Sequence, residues 1–340
     1  MRAARLHGIR DIRISDEPTP VPGPDESLVR VTAVGLCGSD LHWYTEAGIG
    51  DARLDQPLAV GHEMAGVIEG GPRHGERVAI DPAIPCERCD LCLGGHPNLC
   101  PSVRFAGHGA LDGGLREYLA WPTARLHPLP DAFTDADGAM LEPLGVALHS
   151  LDLAHLRLGM SVGVFGCGPI GLLLVQLVQL VGARAVYATE PLPHRRRAAE
   201  EFGASVVDDP AGLDVDVAFE VAGTDPAVET AMVAAGPGAR VVLVGIPDGD
   251  STTFPASVAR RKGLTIAMVR RMKDTYPRAI DLVSRGLVDM STVVTARYPL
   301  DQAADAFETA VARRGLKVVV EPTTPVAPGA GPAAGAASPE

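Results

Sequence analysis

The chain has 340 residues, 46% of them hydrophobic and 21% charged, the composition of a folded soluble protein and more length than one core usually serves. A net charge of −12 excludes general binding to a nucleic-acid backbone, which needs a basic excess to displace counterions, and the one dense basic run, His194 to Arg197, is too short to reverse that. Residues Met1 to His7 lack the apolar core of a signal peptide, and the most apolar segment, Pro169 to Val181, is too short to span a bilayer. The expectation is a cytoplasmic protein with neither nucleic-acid nor membrane partners, whose six cysteines are reduced.

From residue 1 to about 146, short β-branched runs are broken by Gly and Pro: Ser27 to Val34, Ala65 to Glu69, Arg77 to Ile80 and Leu115 to Ala120. This pattern predicts antiparallel strands in a barrel or sandwich. It then changes. Ser161 to Phe165 reads as a buried strand, followed by a glycine turn and a helix from Pro169 to Val181. Ala185 to Ala188, Val215 to Phe219 and Arg240 to Val244 read as further strands, alternating with helices over His194 to Phe202 and Pro226 to Ala235. Such alternation predicts a parallel sheet with helices on both faces. A last helix, Asp301 to Ala312, and strand, Gly315 to Glu321, are too few to form a domain and are expected to return to the first. The Pro-, Ala- and Gly-rich tail, 323–340, cannot bury a core and is expected to be disordered.

Three constellations carry chemistry. Cys37-Gly38-Ser39-Asp40, Gly61-His62-Glu63 and Glu142-Pro143-Leu144 supply a thiolate, an imidazole and carboxylates. That is the ligand set of a zinc ion with one position open to water or substrate. A lone His62 would read as an ordinary half-buried histidine; three ligand types, each framed by small residues, favour the metal. The second is Cys86-x-x-Cys89-x-x-Cys92, with Cys100 following after seven intervening residues. Four sulfurs fill a tetrahedral shell, so this is read as a structural zinc on a loop, over an iron–sulfur cluster or a redox pair. The third is Gly166-Cys167-Gly168-Pro169-Ile170-Gly171, in the strand–turn–helix setting that brings backbone N–H groups to a pyrophosphate. Glu190 follows about two dozen residues on, where an acid binds a ribose 2′-hydroxyl and repels a 2′-phosphate, favouring NAD over NADP. Arg195 to Arg197 weigh the other way, since arginine accepts that phosphate, although a solvated helix face accounts for most of them. Cys167 reads as packing.

With these motifs in order, the chain resembles the zinc-dependent medium-chain dehydrogenases of the alcohol dehydrogenase superfamily, most of all the sorbitol and xylitol dehydrogenase branch. The likeness runs from the N-terminus to about Pro322 and is carried by Val34 to Tyr44, Gly48-Ile49-Gly50, Gly61-His62-Glu63, Glu142 to Val146 and Thr275-Tyr276-Pro277. It implies an α/β two-domain architecture: a GroES-like β-barrel catalytic domain over 1–146, completed by 291–322, and a Rossmann doubly wound parallel sheet over 147–290. It implies Cys37 and His62 as catalytic zinc ligands, with Glu63 or Glu142 as the third. It implies Ser39 and His42 as a proton path, Tyr44 and Glu142 as contacts to substrate hydroxyls, and Arg195, Val244 and Gly245 at the cofactor. The implied reaction is oxidation of a polyol secondary alcohol to a ketone, with hydride passing to NAD. Branch members carry Phe-Arg-Tyr where this chain has Val269-Arg270-Arg271-Met272, so either Arg270 or Arg271 stands as the substrate-facing arginine. Other readings are oxidation of L-threonine or an aminocyclitol, and a non-catalytic relative, although no ligand or nucleotide glycine is lost. A homodimer or homotetramer is implied, with Val241 to Ile246 as a sheet edge able to pair.

Overall fold

The computed structural model describes residues 1–249 and 251–325; the tail expected to be disordered lies, beyond 325, outside the described residues. The apolar runs of the N-terminal part form one mixed sheet. Its order is Leu126–Pro128, Arg77–Ile80, Glu63–Glu69, Glu26–Gly35, Lys317–Glu321 and Val294–Pro299, with Tyr118–Pro122 also pairing to Glu26–Gly35. Glu26–Gly35 is the hinge of this arrangement. Its last residues, Thr32 to Gly35, are all buried, because both edges are covered: Glu63–Glu69 on one side, Tyr118–Pro122 and Lys317–Glu321 on the other. The C-terminal strands thus return to the first domain. Trp43, Trp121, Leu58 and Phe307 fill its core.

The second sheet has six parallel strands in the order Ser205–Val206, Ala185–Thr189, Ser161–Phe165, Val215–Glu220, Ala235–Leu243 and Thr265–Met268. The chain starts at Ser161–Phe165, winds outward one way, then crosses over and winds the other way. Crossovers of opposite direction leave a crevice beyond the carboxyl ends of the central strands, the usual place for a nucleotide in this topology. Ser161–Phe165 is buried throughout, as expected of a strand with helices on both faces. The sheet edge differs from expectation. Val241 to Leu243 pair with Val215–Glu220 on one side and with Thr265–Met268 on the other, so Thr265–Met268 is the open edge, with Met268 largely exposed.

One helix, Asp135–Ala154, runs through the expected domain boundary at residue 146 and packs against both the first sheet and the helix Pro169–Leu180. Its start is specified locally. The Asp137 amide donates to Thr134 Oγ1, and the Thr134 amide donates to an Asp137 carboxylate oxygen, a reciprocal cap. Glu142 lies midway along it and is buried. A second tie between the halves is the Tyr276 hydroxyl, which donates to the Ile80 carbonyl at 3.0 Å. No helix among the described residues is long and apolar enough to cross a membrane.

Candidate active site

Cys37 ends the turn after Glu26–Gly35 and is the N-cap of the helix Gly38–Glu46; Glu63 opens the neighbouring strand, with His62 immediately before it. Strand register therefore brings together side chains 25 residues apart in sequence. The Cys37 sulfur, a His62 nitrogen and a Glu63 oxygen lie within 4.8 Å of one another. Soft thiolate, imidazole and carboxylate at that spacing fit a zinc ion with an open position. Glu142 is not in this group. It is buried beside it, and burial first, then the charge of Glu63, push its pKa up to about 7, with His62 and Lys317 opposing.

Two charged residues that the spacing alone did not single out hold the group in place. Asp40, buried, accepts from the Cys37 amide at 2.9 Å and the Gly61 amide at 3.1 Å, and lies 3.3 Å from His62 Nδ1. It fixes the imidazole with Nδ1 inward, leaving Nε2 for a metal, the carboxylate–histidine arrangement that strengthens such ligands. Burial opposes charge on His62, but Asp40 outweighs it and raises the pKa well above the ordinary value. The signal for Asp40 was in the sequence: Cys37-x-x-Asp40 is the spacing of a capping box. Lys317 had no local signal. From the C-terminal strand its Nζ donates to both Glu63 oxygens, at 2.7 and 2.6 Å, and to the Leu36 carbonyl at 3.0 Å, all in buried surroundings. A Cβ on Gly35 would stand 2.0 Å from a Glu63 oxygen, so only glycine leaves that carboxylate its place.

The remaining predicted residues divide. Ser39 is half-buried in the first turn of the helix, and His42, one turn on, has Nδ1 3.0 Å from Glu46 and 3.9 Å from Asp248 across the cleft. Tyr44 is a correction. It turns away from the metal group, its hydroxyl donating to Glu308 at 2.8 Å and its ring packing on Phe307 at 4.8 Å. A step of one residue rotates about 100° around a helix, and it is Trp43 that meets His108, edge to face at 5.5 Å. Arg270 is exposed, and its carbonyl accepts from Asn98 Nδ2 at 2.9 Å. Arg271 instead lies over the Phe105 ring, 3.9 Å from its centroid, and that ring is 5.3 Å from the His62 ring.

A cleft of about 410 Å³ joins the metal group to the glycine turn. Cys37, Glu63 and Lys317 line one end; Gly166, Gly168, Pro169, Ile170, Glu190, Arg195, Val244 and Gly245 line the rest. Gly171 does not line it. A Cβ there would sit 2.1 Å from the Gly166 carbonyl oxygen, so its role is close packing of helix on turn. The Glu190 oxygens accept from the Cys167 amide at 2.9 Å and the Leu192 amide at 3.0 Å, which aims the carboxylate at the turn and leaves lone pairs to spare. Arg195 Nε is buried and has no hydrogen-bond partner among the described residues. Cys167 is buried, its thiol pushed up to about 12 by burial and then by Glu190, and is packing.

Cys86, Cys89, Cys92 and Cys100 bring their sulfurs within 4.8 Å of one another on a lobe between the paired strands Ala83–Ile84 and Arg104–Phe105. Backbone amides of Arg88 and Cys89 lower the Cys86 thiol to about 6, while burial and then the neighbouring thiol push Cys92 up to about 12. Four crowded thiols cannot all ionise together without a cation, which is what zinc supplies. None of them lines the cleft.

Residues 23–131 match the family model of the alcohol dehydrogenase GroES-like domain, and residues 169–285 that of the zinc-binding dehydrogenases. The sorbitol dehydrogenase of Bacillus subtilis is 33% identical over 95% of this chain and 97% of its own. Among solved structures, a candidate zinc-binding dehydrogenase of Sinorhizobium meliloti bound to NADP superposes with a TM-score of 0.86, at 33% identity over 94% of this chain and 99% of the other. L-idonate 5-dehydrogenase of Escherichia coli gives 0.87, at 27% identity over 94% and 97%. With both halves matched in order and such relatives aligned over nearly its whole length, the chain belongs to the zinc-dependent medium-chain dehydrogenases of the alcohol dehydrogenase superfamily.

Proposed function

We propose that the protein oxidises a secondary alcohol of an open-chain polyol to the ketone, with hydride transfer to NAD, using one catalytic and one structural zinc. The observation that carries this reading is the single cleft that joins Cys37 and Glu63 to the glycine turn. Cys37, His62 and Glu63 hold the catalytic ion, with Glu142 buried alongside, and Cys86, Cys89, Cys92 and Cys100 hold the structural one. Bound there, zinc supplies a Lewis acid that lowers the pKa of the alcohol. Asp40 orients His62. Ser39, in the first turn of the helix, takes the hydroxyl proton, and His42, beside Glu46 and Asp248, passes it outward. The glycine turn seats the pyrophosphate, and Glu190 receives the ribose hydroxyls. An acid at that position supports NAD; Arg195, and the NADP held by the Sinorhizobium relative, make NADP the comparison to run.

Oxidation of L-threonine or an aminocyclitol is the less supported reading. An ammonium group would need an uncommitted carboxylate, whereas Arg271 and His108 stand near His62. A homo-oligomer pairing through the exposed edge Thr265–Met268, in the cytoplasm, completes the proposal. The test is nucleotide reduction by zinc-loaded protein on sorbitol, xylitol, ribitol, L-threonine and simple secondary alcohols, with NAD and NADP in parallel and Cys37→Ser as control. Polyol-dependent NADH formation, lost in the control, is the expected result. Turnover of L-threonine alone would overturn the polyol reading.

A further inference from the structure

The four-cysteine lobe is tied to the catalytic metal group through a segment of the second domain. Between Cys92 and Cys100 the chain makes the short turn Pro97–Leu99, and Asn98 in its middle is 4% exposed. Asn98 Nδ2 donates to the Arg270 carbonyl at 2.9 Å and faces His149 Nε2 at 3.4 Å, on the helix that runs between the domains. The segment 270–273 is pinned beyond that point as well. Arg271 lies on the Phe105 ring, Met272 packs where a Cβ on Gly145 would stand 2.4 Å from its sulfur, and Lys273 Nζ is 2.9 Å from His96 Nδ1. Arg271 has left-handed backbone, φ 54°, a strained state for a residue with a side chain that persists only where its surroundings hold it. His96 and Asn98 hold it from the turn, and Phe105 from the strand pair on which the lobe stands. Phe105 is also the ring that meets His62, at 5.3 Å. The contacts therefore run from the lobe to a metal ligand: Asn98, Arg270, Arg271, Phe105, His62.

One gap in this chain has the size of a water molecule. Asn98 Oδ1 and Arg271 Nη1 are both buried with no hydrogen-bond partner among the described residues. Both residues line a cavity of about 10 Å³, separate from the nucleotide cleft. Of the two acids that also line it, Asp81 is committed to the Ala83 amide and to Arg125, and Asp274 is exposed. An acceptor and a donor are each costly to bury unpaired, and one ordered water in a space of that volume satisfies both.

We infer that Asn98 is a positioning residue for the catalytic metal site: with one water bound between its Oδ1 and Arg271 Nη1, it holds Arg271 and Phe105 as a wall against His62 and so sets how tightly the Cys37 site keeps its metal. The inference rests on the reading of Cys37, His62 and Glu63 as a metal site.

The experiment uses the full-length protein with zinc in the lobe, as wild type, Asn98→Leu, Lys273→Met, Phe105→Leu and the double variant Asn98→Leu/Phe105→Leu. Thermal unfolding shows that each is folded at the assay temperature. Zinc affinity of the Cys37 site is read by competition with a chromophoric chelator. Asn98→Leu keeps the volume without the polar atoms and should weaken that affinity roughly tenfold, the low end of what outer partners of a ligating histidine are worth. Lys273→Met removes a pin at the exposed end of the segment and should cost about twofold to fivefold; it carries the test if Asn98→Leu does not fold. In the Phe105→Leu background, Asn98→Leu should cost less than about twofold more, because the wall it holds is gone. Cobalt(II) in the Cys37 site should show a shifted visible spectrum in Asn98→Leu, which a loss of stability alone would not produce. A crystal structure of the zinc-loaded protein should place a water within hydrogen-bond reach of Asn98 Oδ1 and Arg271 Nη1. Unchanged zinc affinity in Asn98→Leu and Lys273→Met, a fully additive loss in the double variant, or a cavity without the water would each overturn the inference and leave the metal reading standing. Wild-type protein that takes up no metal at Cys37 would overturn the metal reading itself, and the inference with it.

Discussion

Replacing Lys317 with methionine isolates the buried pair that sets the Glu63 carboxylate. Nζ reaches both Glu63 oxygens, at 2.7 and 2.6 Å, and the lysine and glutamate side chains are 3% and 1% exposed. Burial alone would lower the lysine pKa, but Glu63 and Cys37 outweigh it and hold it above the ordinary value. Methionine keeps most of the volume, so the cost is electrostatic: an unpaired buried carboxylate and one Leu36 carbonyl without its donor. Breaking such a pair from one side costs about 3–5 kcal/mol. The expected result is a loss of that size in urea unfolding of zinc-stripped Lys317→Met protein, largely recovered when Glu63→Gln is added. Zinc should shrink the loss, because the metal replaces the ammonium as the partner of Glu63. A loss below about 1 kcal/mol in the stripped protein, or the same loss with and without zinc, would refute the reasoning.

Asp40→Asn keeps the shape but removes the charge behind His62, and zinc affinity at the Cys37 site should fall roughly tenfold to a hundredfold in competition with a chromophoric chelator; unchanged affinity would count against its positioning role. Gly171→Ala drives a Cβ to 2.1 Å from backbone and should lose both stability and nucleotide binding, whereas Gly168→Ala meets nothing nearer than Arg195 Nη1 at 3.7 Å. The latter should fold normally and still bind NADH more weakly by fluorescence titration, unless the pyrophosphate sits elsewhere. Cys100→Ser should release the structural metal while the Cys37 site keeps its own, read by metal content per chain. Glu17, hydrogen-bonded to Arg5 against the opposing effect of burial, has its pKa lowered from 4.5 to about 2. Its stabilisation is therefore complete above pH 4.5 and lost as pH falls towards 2. Arg5→Met should flatten the melting temperature across that window, and an unaltered slope would remove Glu17 from the account.

What could be read from the residues alone depended on how local the determining interaction is. The four-cysteine lobe and the glycine turn are specified within about two dozen residues, so spacing carried them. The alternation from Ser161 onward carried the parallel sheet, because each strand is followed by the helix that covers it. Tyr44 failed for a reason of phase: a family motif places a side chain only to within one residue, and one residue on a helix is the difference between facing His108, as Trp43 does, and facing Glu308. The edge at Val241 to Ile246 failed because Thr265–Met268 is a four-residue strand after a seven-residue helix, too short to stand out by pattern. That Arg271, and not Arg270, lies over Phe105 goes with the left-handed φ at 271, which no preference of arginine foretells. Lys317 is the extreme case. Its partner is 254 residues away, and their meeting requires the C-terminal strand to return beside Gly35, with Val319 opposite that glycine. The terminal segment that looked too small to be a domain thus supplies the cation beside the metal ligand, so the catalytic pocket is complete only when the last strand has docked.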